Sequence, residues 1–310
     1  MLFLKATLSG PPDLEALVPL LLFARDDGQE SAYATELLSK MGLADLELHP
    51  GYRLRVQTFG EFRLWRGREE APHREWQRKK ALQLFLLFLT ERGRVLHREQ
   101  ICDMLWPEMA VEDALRDFKI AYSAMCSVLE PQRKRHAPSA YIFRKGSRYG
   151  LRPQSDLWLD AAEFESRVAE GEWLLSGDAQ AGIDRLRQAL ALYQGDFLQA
   201  YPYYEWCNAE QERLRALFLR AAEKLAQALV AREEWEEAVE ICEAILSQDN
   251  CREVAYRLLM TAYEGQGKRA QALQAYERCC DVLRREWDME PMTETSHLYE
   301  AIRQEASLPE

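Results

Sequence analysis

Residues 111–151 run VEDALRDFKIAYSAMCSVLEPQRKRHAPSAYIFRKGSRYGL. In the first half Ala114, Phe118, Ala121, Tyr122, Met125 and Leu129 recur at the three-and-four spacing of one helix face, which predicts a helix over about Val111–Glu130, closed by Pro131. The second half changes period. Tyr141–Arg144, a turn at Lys145-Gly146-Ser147 and Arg148–Leu151 read as a short hairpin with a basic tip. Residues 131–154 carry Arg133, Lys134, Arg135, Arg144, Lys145, Arg148 and Arg152 and no acid. Seven uncompensated charges in so short a span repel one another unless they meet phosphates, whose displaced counterions supply favourable free energy.

Upstream, a helix over Trp76–Thr90 turns Ala81, Leu84, Phe85, Leu87 and Phe88 inward, carries Arg78, Lys79 and Lys80 at its beginning, and ends before Gly93. A second, about Arg98–Leu105, stops before Pro107. Ahead of both, Leu54, Val56 and Phe59 alternate with Arg53, Arg55 and Gln57, and Phe62, Leu64 and Trp65 begin a second strand beyond Gly60, giving a small antiparallel sheet. Three helices followed by a hairpin make a winged helix-turn-helix domain over residues 51–154. In that arrangement the third helix enters the major groove of double-stranded DNA. Arg116 and Lys119 then reach guanine O6 and N7 or a phosphate, Asp117 accepts from a cytosine amino group, and Ile120 and Ser123 meet a thymine methyl or a base edge. For Asp117 an ordinary solvated helix position is the stronger reading. Arg98, Arg133, Lys134, Arg135, Arg144, Lys145 and Arg148 form the expected backbone-and-wing set.

Residues 1–50 read as two short helices, around Asp13–Ala24 and Ser31–Met41, with a stop at Gly42 and a linker at His49-Pro50-Gly51. Their abrupt Leu-rich beginning suggests the end of a larger helical array. From Asp156 onward the pattern is helical, with a period of 34 residues that places Ala238 on Ala272, Cys242 on Tyr276 and Ile245 on Cys279. That is tetratricopeptide spacing, and residues 155–310 are expected to form such a domain. An earlier pair, about Ala161–Ser176 and Asp178–Tyr193, puts Gly182 in the small-residue position. The stretch from Gln194 through Tyr201-Pro202-Tyr203-Tyr204-Glu205-Trp206 breaks the period; it suits a ligand cage or partner groove, and core packing is the stronger reading. The fold class is mainly α with a small β component.

Over 310 residues the net charge is −11, which by itself argues against nucleic acid. The partition reverses that impression: residues 52–154 hold 21 Lys plus Arg against 12 Asp plus Glu, and the remainder 19 against 39. The seven cysteines are odd in number and show no C-x-x-C pair, and the five histidines lack metal spacing, so neither disulfide framework, metal nor cofactor is indicated. Gly265-Gln266-Gly267-Lys268-Arg269 echoes a phosphate loop but lacks its first glycine, its Ser/Thr and a preceding strand; it reads as a repeat turn. With no nucleophile–base set or carboxylate pair in view, the chain is not expected to be an enzyme. No apolar run reaches the roughly 18 residues of a membrane span and no signal peptide opens the chain, so the expected compartment is the cytoplasm.

Gly60-Glu61-Phe62, Arg78-Lys79-Lys80-Ala81, His97-Arg98-Glu99-Gln100-Ile101, Leu105-Trp106-Pro107 and Tyr149-Gly150-Leu151 resemble the DNA-binding half of the Streptomyces antibiotic regulatory protein (SARP) family, an OmpR/PhoB-type winged helix. Tyr193-Gln194-Gly195-Asp196-Phe197-Leu198, Glu212-Arg213-Leu214, Ala255-Tyr256-Arg257-Leu258-Leu259-Met260, Ala272-Leu273-Gln274-Ala275-Tyr276 and Glu290-Pro291 are similar to the bacterial transcriptional activation domain that follows it there. The resemblance covers about Tyr52–Arg303. It implies a sequence-specific activator that binds direct repeats as a homodimer and recruits RNA polymerase through its sigma or alpha subunit, with Trp106, Pro107 and Glu108 in the polymerase-contact loop. Where the family tends to end its recognition helix with a Leu-Arg pair, this chain has Met125-Cys126, which implies that a phosphate contact is either missing or moved to Arg133–Arg135. The alternative is a tetratricopeptide-type interaction scaffold whose winged helix is a docking surface.

Overall fold

Alternation along Leu54-Arg55-Val56-Gln57 makes strand β1 (Leu54–Gln57), with Leu54 and Val56 fully buried. Strand β2 (Arg63–Arg66) pairs antiparallel with it, Leu54 opposite Arg66 and Val56 opposite Leu64, and β3 (Glu69–Glu70) extends the edge. Opposite each other on these strands, the Arg55 guanidinium lies 4.3 Å from the centroid of the Trp65 ring. The computed structural model describes residues 14–28 and 30–304, and it divides the chain into two compact units.

A fourth strand corrects the purely antiparallel sheet expected from the sequence. Residues Leu157–Leu159 pair in parallel with β1, Leu54 beside Leu157 and Val56 beside Leu159. Three residues are too few for a two-residue period to register, and they stand directly before a helical pattern. The first unit therefore passes the expected 154/155 boundary, reaching Asp160, and also takes in Leu198–Glu210. Asp160 shows why: its carboxylate accepts from the Thr58 N–H (2.7 Å), the Phe59 N–H (2.8 Å) and the Thr58 hydroxyl (2.6 Å). The Thr58 carbonyl in turn accepts from the Leu198 N–H at 2.8 Å.

Helices α1 (Leu14–Asp27) and α2 (Ser31–Lys40) form a hairpin around Val18, Leu21, Leu22, Ala34 and Leu38. Asp13, where the sequence places the start of the first, lies outside the described residues. Helix α3 (Lys79–Thr90) begins three residues later than expected, because His73–Glu75 makes a separate turn and Trp76 instead stacks on Phe85 at 5.7 Å. Ala81 through Leu89 are all buried, so this helix is enclosed on every side rather than on one face. Strand β4 (Leu96–His97) leads into α4 (Arg98–Leu105), whose first turn is fixed by the His97 N–H donating to Gln100 Oε1 at 2.9 Å. Helix α5 (Val111–Leu129) follows, and then the hairpin of β5 (Ile142–Lys145) and β6 (Arg148–Leu151), with Gly146 at φ +60° in its turn. β4 pairs with β6, making the wing a three-stranded sheet in the order β4-β6-β5, with β7 the label left for Leu157–Leu159. Gly150 is required there: a Cβ would stand 2.6 Å from the Arg94 carbonyl oxygen.

The second unit is helical. Helix α6 (Asp160–Leu174) and α7 (Ala179–Leu190) meet through two glycines, since a Cβ on Gly182 would lie 2.7 Å from the Leu175 nitrogen and one on Gly171 would lie 2.9 Å from Leu186 Cγ. After α8 (Asn208–Ala231) come α9 (Trp235–Gln248), α10 (Glu253–Gly265), α11 (Arg269–Trp287) and α12 (Thr293–Gln304), consecutive members from α9 to α12 packing on one another. Ala238 and Ala272, the aligned small residues, are fully buried, as are Cys242, Ile245 and Cys279. Gly265 ends α10 against the Trp235 ring, where a Cβ would approach Cε2 to 2.5 Å, and Gly267 takes φ +70° before α11, so this segment is a repeat turn.

Candidate nucleic-acid interface

Helix α5 is seated by aromatic packing. Phe118 meets Tyr149 of β6 edge-on at 4.9 Å, Tyr122 meets Tyr149 at 5.3 Å, and Trp106 meets Phe118 at 6.4 Å. That anchorage turns Arg116, Lys119, Ile120 and Ser123 to solvent, Ile120 remaining 41% exposed. Arg116 pairs with Asp113 at 3.0 Å, an exposed contact on the order of 0–1 kcal/mol that a nucleic acid can replace.

Beyond α5, the Glu130 carboxylate is buried and accepts from the Ser139 hydroxyl and, at 2.9 Å, from the Ala140 N–H. The Ser139 oxygen accepts the Tyr141 and Ile142 N–H groups. This latch closes residues 131–140 into a defined loop, in which the Arg133 guanidinium donates to the Ala137 carbonyl and His136 adopts φ +68°.

The result is a concavity of about 780 Å³ bounded by α5, the basic loop and the wing. Arg98, Lys119, Arg133, Arg135, Arg144 and Arg152 line it, together with Tyr122, Ser123 and Tyr149, and no carboxylate does. The Arg144 guanidinium lies 5.9 and 5.7 Å from the Tyr122 and Tyr149 ring centroids. Arg152 donates to the Ser139 carbonyl at 3.2 and 3.1 Å and stands 3.4 Å from the exposed Glu47. Burial pushes the Tyr122 hydroxyl up from its ordinary pKa, so it stays a neutral donor beside these cations. Lys134, Lys145 and Arg148 are exposed outside the concavity.

Two expected site residues are corrected. Asp117 accepts from the Trp106 indole N–H at 2.8 Å and lies 3.6 Å from Arg78, so it is a structural acceptor, not a reader of cytosine. Trp106 is itself buried, with the Lys80 ammonium 5.3 Å from its ring centroid, and does not present its ring to a partner. Pro107 and Glu108 are exposed beside Met109 and Val111. Tyr122 and Arg152 were missed as lining residues. Tyr122 has core spacing and sits half-buried at the core's edge; Arg152 was counted in the basic run but lies past the hairpin. Met125 and Cys126 are fully buried, and the cations that follow them are those of the loop. The aromatic stretch folds on itself, Tyr201 on Tyr204 at 5.5 Å and Tyr204 on Trp206 at 5.3 Å, with Tyr201 against Phe62 at 6.4 Å.

Residues 159–303 match the family model of the bacterial transcriptional activator domain. The regulatory protein AfsR of Streptomyces coelicolor is 27% identical over 256 residues, covering 81% of this chain and 24% of that protein. Over that span the chain is similar to a SARP-type regulator. AfsR of Streptomyces griseus agrees, at 26% identity over 250 residues, 80% of this chain and 24% of that one. The SARP-like chain thus spans about a quarter of the length of these relatives. Its fold matches Mycobacterium tuberculosis EmbR, solved in complex with a low-affinity phosphopeptide, with a TM-score of 0.68 and 19% identity over 82% of this chain and 66% of that one. Winged helix and tetratricopeptide-like helices are the two parts of this SARP-like architecture. Among the described residues no helix is long and apolar enough to cross a membrane.

Proposed function

We propose that this chain is a DNA-binding transcriptional regulator, acting in the cytoplasm as an activator that docks on direct-repeat operators as a homodimer and recruits RNA polymerase. One observation carries the DNA reading: six cations, from α4, α5, the basic loop, β5 and the segment after β6, converge on one carboxylate-free concavity beside the exposed face of α5. Arg116, Lys119, Ile120 and Ser123 read base edges, while Arg98, Arg133, Lys134, Arg135, Arg144, Lys145 and Arg148 hold the backbone. The activator-domain match and the SARP-like relatives support the regulatory role. Pro107 and Glu108, exposed with Met104, Met109 and Val111, offer the sigma or alpha subunit an apolar and acidic surface, which Trp106 positions from beneath. A protein-docking scaffold has no use for a carboxylate-free cationic cleft.

The test compares two variant sets on operator and random duplexes. Arg116→Ala with Lys119→Ala is expected to cost on the order of 1–3 kcal/mol of discrimination per lost bidentate contact, whereas Arg144→Ala, Lys145→Ala or Arg148→Ala weakens both duplexes alike. Equal losses on both duplexes from both sets would overturn the assignment of α5 as the reading helix.

A further inference from the structure

We infer that the concavity between α5, the basic loop and the wing also takes a small polyphosphorylated ligand, a nucleoside polyphosphate, in competition with DNA; this rests on the DNA reading of the same face. The cations there fall into two groups by depth. Lys119, Lys134, Arg135, Arg144, Lys145 and Arg148 are exposed at the rim, where the broad, rigid surface of a duplex can meet them. Arg98, Arg133 and Arg152 are half-buried behind that rim. A duplex backbone reaches only their outer edge, whereas a flexible phosphate chain can follow them inward.

Two of the inner group, Arg98 and Arg133, have no ion pair among the described residues, and the third, Arg152, has an exposed one. The Nε atoms of Arg98 and Arg133 are buried with no hydrogen-bond acceptor, which leaves charge-bearing donors unsatisfied until an anion arrives. Arg152 donates to the Ser139 carbonyl and pairs at 3.4 Å with Glu47, an exposed carboxylate that a phosphate can replace. The volume of about 780 Å³ falls in the range of small-molecule sites, and the other concavities described reach only about 350 and 320 Å³. Half-buried Tyr122 supplies the aromatic surface on which a base can lie, with the Arg144 guanidinium 5.9 Å from its ring centroid and buried Tyr149 packed behind it. Phosphates on the inner arginines and a base on Tyr122 would occupy Arg144 and the space beside Lys119, which the duplex also needs.

The experiment uses the full chain, a fluorescently labelled duplex, and ATP or inorganic tripolyphosphate at matched ionic strength. Displacement of the duplex by ATP, at roughly tenfold lower concentration than by tripolyphosphate, is expected, and direct calorimetry should give one ATP per chain. Arg98→Gln with Arg133→Gln should weaken ATP binding by roughly tenfold or more and duplex binding by clearly less, with thermal melting confirming that the variant is folded; equal losses for both ligands overturn the inner site. A duplex that binds but resists ATP overturns this inference and leaves DNA recognition standing. Equal displacement by tripolyphosphate overturns the nucleoside assignment, and ATP binding by a chain that holds no duplex overturns the competition and the DNA reading together.

Discussion

Replacing Glu130 tests whether the basic loop is held in place from within. The carboxylate at this buried position accepts from the Ser139 hydroxyl and the Ala140 N–H, both in a buried environment. Glu130→Ala leaves two donors without acceptors, each costing about 1–3 kcal/mol, so local opening should become easier by about 2–4 kcal/mol after the loop relaxes. Glu130→Gln keeps an acceptor for Ala140 but leaves the Ser139 hydroxyl, whose oxygen already accepts two N–H groups, without one, and should cost about 1–3 kcal/mol, less than Glu130→Ala. Hydrogen–deuterium exchange of peptides spanning 139–143 reads this directly. Their amides should exchange roughly 30- to 1,000-fold faster in Glu130→Ala and less so in Glu130→Gln. Unaltered protection in Glu130→Ala would refute the latch, and with it the claim that Arg133 and Arg135 are presented by a fixed loop.

Asp117→Ala should destabilise the folded chain by about 1–3 kcal/mol, seen as a lowered melting temperature, because it strips the acceptor from the Trp106 indole; a change of base preference instead would restore Asp117 as a reader. Burial opposes ionisation of Asp156, but hydrogen bonds from His49 and Arg53 outweigh it and hold its carboxyl below the usual 3.8. A depressed folded-state value stabilises above the unfolded value and is lost as pH falls through the folded one, so melting temperature should drop below about pH 4 and drop less in Asp156→Asn. Gly182→Ala should cost about 1–3 kcal/mol in urea unfolding because its Cβ meets the Leu175 backbone, whereas Gly177→Ala, with nothing within 4 Å, should be near neutral; equal effects would contradict the close α6–α7 approach.

The elements with long periods were legible in the sequence. Helix α4 has the bounds its pattern gives, α5 differs by one residue, and the 34-residue spacing put Ala238 and Ala272 at buried crossings. What escaped was short or non-local. Leu157–Leu159 and Leu96–His97 carry too few residues for a period, and they become strands only because β1 and β6 offer them edges. Trp76 scans as the first turn of a helix, yet stacking on Phe85 holds it outside. At the site, the sequence located the cations but not their depth: the separation of Arg133 from Lys145 and Arg148 depends on the Glu130 latch, a contact nine residues apart that no periodicity encodes. Asp117 was ambiguous because its partner, Trp106, lies eleven residues away across a turn.

Duplex affinity measured across a salt series bears most directly on whether the cationic cleft meets DNA. With six cations converging on one concavity, the logarithm of the association constant should fall against the logarithm of salt concentration with a slope of roughly −5 or steeper. A slope near zero, or no duplex binding at low salt, would contradict it.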